Sequence, residues 1–334
     1  MNGATQSHLR LLERLRAEPG GWISGQDLCE AIPCSRTAIW KQIEALRLLG
    51  YAIEARSRRG YRLTGAPDAP IPEEVQPRLT TRLLGRTLTW LPSVDSTNRW
   101  LAEKADAAAP EGSTVAADTQ TAGRGRLDRD WFSPPGLNLY ASLLLRPAVP
   151  LDRVASLALV LGLALRRALL EQAPGLDPRI KWPNDIWLDG RKLCGILCEM
   201  RAEPDRVRHV VAGLGLNVNT TARDFPAALR ATATSLRLAS GRRHSRAALL
   251  AAFLNHLEPV YTAWAAEGLA PFQSELEQAD LLRGRPITLV QGQRPLAGTA
   301  VGIAPDGALL LDGPQGIVPV YSGDVSIQTI SGLR

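Results

Sequence analysis

The sequence predicts an α+β protein in three parts: a small head of helices closed by a hairpin, a mixed α/β centre, and a C-terminal barrel of short strands. Three observations predict it. The chain has 334 residues, beyond the roughly 100–200 of a single domain. Capped, helix-spaced apolar runs fill the first fifty residues, whereas after Arg283 the apolar residues come in short stretches cut by Gly, Pro and Asp-Gly turns. Between head and centre, residues 64–77 (TGAPDAPIPEEVQP) hold four prolines and no periodicity, the pattern of a linker. The expected divisions are 1–65, 66–77, 78–280 and 281–334.

Composition narrows the function classes. A hydrophobic fraction of 45% and a charged fraction of 22% match ordinary soluble domains, and no repeat or low-complexity tract interrupts them. Residues 154–165 form the longest apolar stretch, 12 residues ending at Arg166 and Arg167, where a bilayer span takes about 20. The spacing of Val154, Leu157, Leu161, Leu165 and Ala168 fits a core helix buried on nearly every side. Near the N-terminus, Gln6, His8 and Arg10 leave no room for the apolar region of a secretory signal, so the expected compartment is the cytoplasm, with no membrane partner. Cys29, Cys34, Cys194 and Cys198 form no C-x-x-C pair and have no neighbouring histidine, which points away from a disulfide framework and from zinc. Residues 1–65 hold ten Lys and Arg against six Asp and Glu, so +4 of the formal +6 sits in the head. A basic excess gathered in one small domain suits a polyanionic partner.

In the head, Leu9, Leu12 and Leu15 space one amphipathic helix, and Ser24 with Asp27 three residues on is an N-cap signal for a second. Ser35 caps a third helix, whose inner face is Ile39, Ile43 and Leu46 and whose stop is Gly50. Its other face turns Arg36, Thr37, Trp40, Lys41 and Arg47 outward, where a recognition helix reads base edges. Residues 51–55 alternate, residues 61–63 return, and the tip between them includes Arg58 and Arg59, suited to phosphate contact. Three helices and a basic two-stranded wing resemble the winged helix-turn-helix family across residues 7–63. The resemblance implies DNA binding through Ser35, Arg36, Thr37, Trp40, Lys41, Arg58 and Arg59; a helical protein-binding module on the same scaffold is the other reading.

The centre carries three polar clusters. Asp95-Ser96-Thr97-Asn98 opens a helical run and offers hydroxyls and an amide to a neutral polar ring. The segment 119–126 (TQTAGRGR), followed by Trp131-Phe132-Ser133, is neither a Walker loop nor a dinucleotide fingerprint. Its glycines let the backbone close over a ligand, and its guanidiniums can grip phosphate or carboxylate oxygens. Residues 181–185 (KWPND) lead through Ile186-Trp187-Leu188 to Asp189-Gly190, a strong hairpin signal. With those two residues as the turn, Trp187 faces Lys192 and Asp185 faces Cys194. Asp185 and Lys192 then share one sheet face as diagonal neighbours, with Cβ atoms ~7–8 Å apart, leaving room for a phosphate or a carboxylate and a bridging cation. Farther on, Gly213, Gly215 and Asn217 alternate with Leu214, Leu216 and Val218. Glycine on one face of a strand costs stability unless something packs closely there. Residues 246–276 read as a helical lead-in, and strands are expected at 287–290, 297–303, 308–311 and 317–321.

Taken in order, D-S-T-N, G-R-G-R with W-F-S-P, K-W-P-N-D, R-K-L-x-G-I-L and G-x-G-x-N-V-N resemble the biotin–protein ligase family. The resemblance covers essentially the whole chain, winged head included. It implies a catalytic domain of the class II synthetase-like biotin/lipoate ligase type and an SH3-like C-terminal barrel. By family position, Ser96, Thr97, Asn98, Gln120, Arg124, Gly125, Arg126 and Lys192 would hold biotin, and Gly123, Trp131, Asn184 and Asn217 would hold ATP or the adenylate. Asp185 would meet Mg²⁺, and Lys192, Arg126 and Asp185 would carry the catalysis. The implied partners are biotin, ATP, the biotin carboxyl carrier protein, operator DNA, and a second copy of the chain once the adenylate is bound. After Arg126 the chain runs Leu127-Asp128-Arg129-Asp130, more acidic than the basic continuation of familiar members, a departure that bears on loop ordering and on pairing. Two alternatives remain open: a ligase whose head does not regulate, and a ligand-sensing repressor without turnover. The lipoate ligases share the central fold, but the motif set with a winged head favours biotin.

Overall fold

A computed structural model describes residues 3–291 and 294–327. The head contains helices α1 (Gly3–Ala17), α2 (Gly25–Ala31) and α3 (Arg36–Leu48), then the antiparallel hairpin β1 (Ala52–Arg56) and β2 (Gly60–Gly65). Both expected caps form: Ser24 Oγ accepts from the Asp27 amide at 3.1 Å and Ser35 Oγ from the Ala38 amide at 3.2 Å. Ile39, Ile43 and Leu46 of α3 are buried with Leu11, Leu12 and Leu28 in one core. The wing docks through Ile23, which exchanges backbone hydrogen bonds with Tyr61, 2.9 Å each way. Gly60 lies directly beneath that exchange with φ 98°, and a Cβ there would stand 1.9 Å from the Ile23 carbonyl oxygen. The structure corrects Arg47: its guanidinium turns back to the Ile53 carbonyl, at 2.6 and 3.0 Å, and to Glu44. It clamps α3 to β1 and does not face outward.

The stretch expected to be a linker is packed, a second correction. Its Pro72–Val75 segment is a one-turn helix, α4, with Glu73, Glu74 and Val75 buried. Ile71 joins the head's core and Val75 the central core. Glu73 accepts from His8 Nδ1 at 3.0 Å, and Glu74 binds Arg16 and the Tyr51 hydroxyl. Asp68 takes the Arg246 amide and Nε, each at 3.1 Å. Buried carboxylates persist only when paired, and here the pairs join head to centre.

The centre is a seven-stranded sheet in the order β3-β4-β5-β9-β8-β7-β6. Its strands are β3 (Leu88–Leu91), β4 (Thr114–Ala117), β5 (Leu139–Leu145), β6 (Arg179–Lys181), β7 (Asp185–Leu188), β8 (Arg191–Glu203) and β9 (Arg206–Leu216). Helix α5 (Thr97–Asp106) packs on one face through Leu101 and Ala105 against Val115, Leu144 and Val211. Helices α6 (Leu157–Gln172) and α8 (Arg246–Glu267) bury the other face, while the short α7 (Leu236–Ser240) and α9 (Gln273–Ala279) precede and follow α8 along the chain. Strand β9 obeys the expected alternation: Ala212, Leu214 and Leu216 enter the main core, leaving Gly213 and Gly215 on the α5 side.

The C-terminal part is a five-stranded antiparallel sheet ordered β13-β12-β11-β10-β14. Its strands are β10 (Pro286–Gln291), β11 (Arg294–Ile303), β12 (Leu309–Gly313), β13 (Gly316–Val320) and β14 (Asp324–Ile327), the last beyond the four expected from the sequence. Among the described residues, no helix is long and apolar enough to cross a membrane.

Candidate active site

The β7–β8 hairpin turns on Asp189 (φ 49°) and Gly190 (φ 73°), the two left-handed residues such a turn requires. Register begins as expected, Leu188 opposite Arg191 and Trp187 opposite Lys192, then slips: Ile186 faces Cys194 and Asp185 faces Gly195, where the sequence placed Cys194. The cause is a bulge. Leu193 and Cys194, adjacent in the chain, both enter the core, which leaves Lys192 and Gly195 on the cavity side. With no side chain at Gly195, Lys192 folds across the gap and its Nζ meets Asp185 Oδ1 at 2.8 Å. The pair is in contact, and no gap for an anion separates them.

Gly195 is also the cross-strand partner of Gly215, and the two make a flat shelf. Trp131 lies on it: a Cβ at Gly215 would be 2.5 Å from the indole and one at Gly195 2.9 Å. The Lys192 ammonium sits 5.4 Å from that ring. Trp131 Nε1 is buried against the shelf without a hydrogen-bond partner. What approaches the strand glycines is therefore protein, because Gly213 likewise makes room for Asn98, whose Oδ1 lies 2.2 Å from where a Cβ would be.

Around these groups is a cavity of about 380 Å³, of the size that holds a small ligand. The structure brings Ser96, Thr97, Asn98, Gln120, Arg124, Gly125, Arg126, Trp131, Asn184, Asp185, Lys192 and Asn217 to its wall. Gly123 stands behind the wall, packed against Ser133 Oγ and the Trp131 carbonyl. Ser96 occupies the N-cap position of α5 without a side-chain cap bond. Gln120 Oε1 accepts from the Thr97 amide (2.9 Å) and hydroxyl (3.1 Å). Asn217 is knitted into the wall, donating to the Thr234 carbonyl at 3.0 Å.

The loop after Gly123 is ordered by its own backbone: Gly125 donates to the Arg129 carbonyl at 2.6 Å and Trp131 to the Gly123 carbonyl at 2.9 Å. Leu127 and Asp128 take left-handed conformations (φ 56° and 53°). Arg126 donates to Asn184 Oδ1 at 2.9 Å, and Arg129 pairs with Asp324 of β14. The acidic-looking continuation is thus folded against the C-terminal sheet, with Gly323 and Asp324 completing the wall.

Several site residues escaped the sequence reading. Ser142 and Glu199 bond to the α5 cluster, and Phe225 packs near Phe132 with ring centroids 6.2 Å apart and planes tilted by 43°. Lys181, read from the sequence as part of the 181–185 cluster but given no role there, lies 4.6 Å over the Trp187 ring. Burial lowers its ammonium pKa below the usual lysine range, Lys192 and Arg129 push the same way, and Asp185 and Asp324 oppose them. Two signals were available: Gly195, Leu197 and Glu199 share parity, and a lone serine inside the apolar β5 is a polar group needing a partner.

Chemically, the cavity joins an uncharged polar wall to a charged end where Lys192 pairs with Asp185 and Arg129 with Asp324, beside Arg126 and the nearby Lys181. The neighbouring thiols are no nucleophiles: burial pushes Cys194 well up and Cys198 up to about 12. Such a site suits a reaction run by positioning and charge neutralisation. No group of three or more His, Cys, Asp or Glu side chains able to hold a metal occurs among the described residues. Asp185 could still offer one carboxylate to a cation arriving on phosphates, as Mg²⁺ commonly does.

A second face lies on the head. Arg36, Thr37, Trp40 and Lys41 of α3 are exposed, as are Arg58 and Arg59 at the wing tip. Arg56, Arg59 and Arg62 gather over the Trp22 ring at 5.1, 5.6 and 4.8 Å, so one indole organises the wing's cations.

Comparison with known proteins agrees with both faces. Residues 90–217 match the model of the biotin/lipoate A/B protein ligase family, residues 8–62 an HTH domain, and residues 283–327 the biotin protein ligase C terminal domain. The bifunctional ligase/repressor BirA of Bacillus subtilis is 40% identical over 95% of this chain and 97% of its own. That of Escherichia coli is 33% identical over 93% and 94%. Among solved structures, a biotin protein ligase from Aquifex aeolicus in complex with biotin and ATP superposes with a TM-score of 0.62 at 31% identity, covering 73% of this chain and 99% of that one.

Proposed function

The chain belongs to the biotin protein ligase family in its bifunctional ligase/repressor form, and from that premise we propose that it joins biotin to a carrier protein using ATP and represses transcription through its head. The observation that carries the ligase reading is the single cavity uniting Thr97, Asn98 and Gln120, the Arg124–Arg126 loop and the Asp185–Lys192 pair.

The polar wall takes the neutral ureido ring of biotin, and the valeryl carboxylate reaches the charged end. Lys192 and Arg126 draw that carboxylate and the ATP α-phosphate together while neutralising their repulsion. A carboxylate oxygen attacks the α-phosphorus, the bond to the bridging oxygen breaks, and pyrophosphate leaves with the electron pair. The product is biotinyl-5′-AMP. Trp131 on its glycine shelf and Asn184 hold the adenylate, and Asp185 would offer one carboxylate to Mg²⁺ arriving with ATP, which would offset phosphate charge. Under the ordered loop the mixed anhydride is kept from water. A lysine amine of the biotin carboxyl carrier protein then attacks the acyl carbon, releasing AMP. On the head, α3 enters the major groove of operator DNA while the wing meets phosphate. Two adenylate-bound copies pairing would match a two-part operator and link biotin supply to repression. A cytoplasmic location follows from where ATP, carrier and DNA meet.

The test supplies labelled biotin, ATP and a carrier domain, and follows adenylate, transfer, sedimentation and operator binding. Wild-type protein is expected to label the carrier, and Lys192→Ala to lose adenylate formation by about 100-fold or more. Normal turnover in Lys192→Ala would remove the site assignment. Transfer without DNA binding leaves a ligase alone, and a monomer at every ligand concentration removes the coupling.

A further inference from the structure

Behind the cavity wall runs a chain of hydrogen bonds that the steps above do not use. It begins at Ser133, whose Oγ receives Gln120 Nε2 at 3.1 Å. Gln120 Oε1 accepts from Thr97 at 3.1 Å, and Thr97 Oγ1 is 2.8 Å from Ser142 Oγ. Ser142 donates to Asn98 Oδ1 at 2.6 Å. Asn98 Nδ2 donates to the Leu197 carbonyl at 3.2 Å and to Glu199 Oε2 at 2.7 Å. The other oxygen of Glu199 accepts from Arg124 at 3.0 Å. Thr97, Asn98, Ser142 and Gln120 are buried or half-buried, whereas Glu199 lies at the margin with its carboxylate 40% exposed.

Serine, threonine, asparagine and glutamine each donate and accept, so such a chain has no direction of its own. An ionised carboxylate only accepts. Glu199 and the Leu197 carbonyl, both acceptors only, therefore set the direction: Asn98 turns its amide nitrogen toward β8 and its oxygen toward Ser142, and the Ser142 proton is committed to that oxygen. The single Thr97 hydroxyl proton is shared between Ser142 Oγ and Gln120 Oε1. The donors and acceptors at Asn98 and Ser142 are thereby fixed from the β8 end of the chain. The same carboxylate grips Arg124, at the root of the arginine loop.

We infer that Glu199 is a positioning residue for the ureido ring of biotin, one that also ties the loop to the ring wall; the inference rests on reading this cavity as the biotin site. Glutamine at 199 has nearly the same shape, but its NH₂ must face one of two partners that are themselves donors. Either Arg124 loses its acceptor, or Asn98 loses the charged one and keeps only the Leu197 carbonyl.

The test measures steady-state adenylation and adenylate release for Glu199→Gln and Glu199→Asp beside wild type. For Glu199→Gln, KM for biotin should rise about tenfold or more, the worth of one hydrogen bond to a charged group, while KM for ATP stays within about twofold. Adenylate should also leave faster. Glu199→Asp keeps an acceptor-only group and should recover part of the biotin KM. An unchanged biotin KM in Glu199→Gln with wild-type thermal unfolding overturns the inference. So does an ATP KM that rises in step with that for biotin, since this would report a general loss of order. Should Glu199→Gln fail to fold, Glu199→Asp carries the test by the same split between the two KM values. Wild-type protein that takes up no biotin would instead remove the biotin reading of the cavity itself.

Discussion

Trp131 shows how much a site can depend on side chains that are missing. Its indole rests on Gly195 and Gly215, which face each other across two strands. A methyl at Gly215 would lie 2.5 Å from the ring, so Gly215→Ala must lift the indole off its shelf. Displacing a positioning group by about an ångström can cost on the order of 100-fold in rate, and a loss of adenylation near that size is expected in single-turnover assays. Intrinsic tryptophan fluorescence should shift in the same variant. A rate equal to wild type in folded Gly215→Ala would mean that the shelf is packing alone. At this scale the site was legible mainly through the family resemblance: twelve residues assigned by family position reach one cavity wall, whereas the polar clusters alone named no ligand. Glu199 was missed because its partners, Asn98 and Arg124, lie 101 and 75 residues away, and only the folded sheet makes them neighbours.

Among the elements, the two corrected segments have different causes. The β7–β8 hairpin was expected from its Asp-Gly turn and its facing residues near the turn were right, but parity cannot foresee a bulge. Leu193 and Cys194 are both apolar, so either could be the core residue, and packing selects both. Residues 64–77 misled through their prolines. Pro72 followed by two glutamates is equally a helix start, and their burial depends on His8, Arg16 and Tyr51, beyond any local window. The wing yields an element-scale prediction. Gly60 combines φ 98° with a Cβ position 1.9 Å from the Ile23 carbonyl, so Gly60→Ala should break the Ile23–Tyr61 bridge. Strain of about 1–3 kcal/mol is expected. The head should unfold earlier by circular dichroism and lose DNA affinity, while adenylation continues. Undiminished operator binding would show that the wing holds its place without that bridge.

Across the whole molecule, Arg246 is the hub. Its side chain is 4% exposed and meets Asp68 of the connector, Asp118 at the root of the arginine loop, and the Asn138 carbonyl. Replacing it with methionine leaves two carboxylates facing an apolar chain. Breaking a fully buried pair costs about 3–5 kcal/mol; these carboxylates are 30% and 24% exposed, so a loss nearer ~2 kcal/mol is expected after screening. Urea unfolding measures it, and a loss under about 0.5 kcal/mol would reduce the hub to ordinary surface pairing.

The docked connector has a geometric consequence. Twelve free residues would let the head wander over roughly 20 Å, and two such heads could straddle DNA sites at many separations. Fastened through α4 and Asp68, each head instead has a set bearing on its own body. Were two chains to pair, they would work as calipers: the angle at which the bodies met would become the distance between the two reading helices, and the base-pair count between operator halves would record that angle.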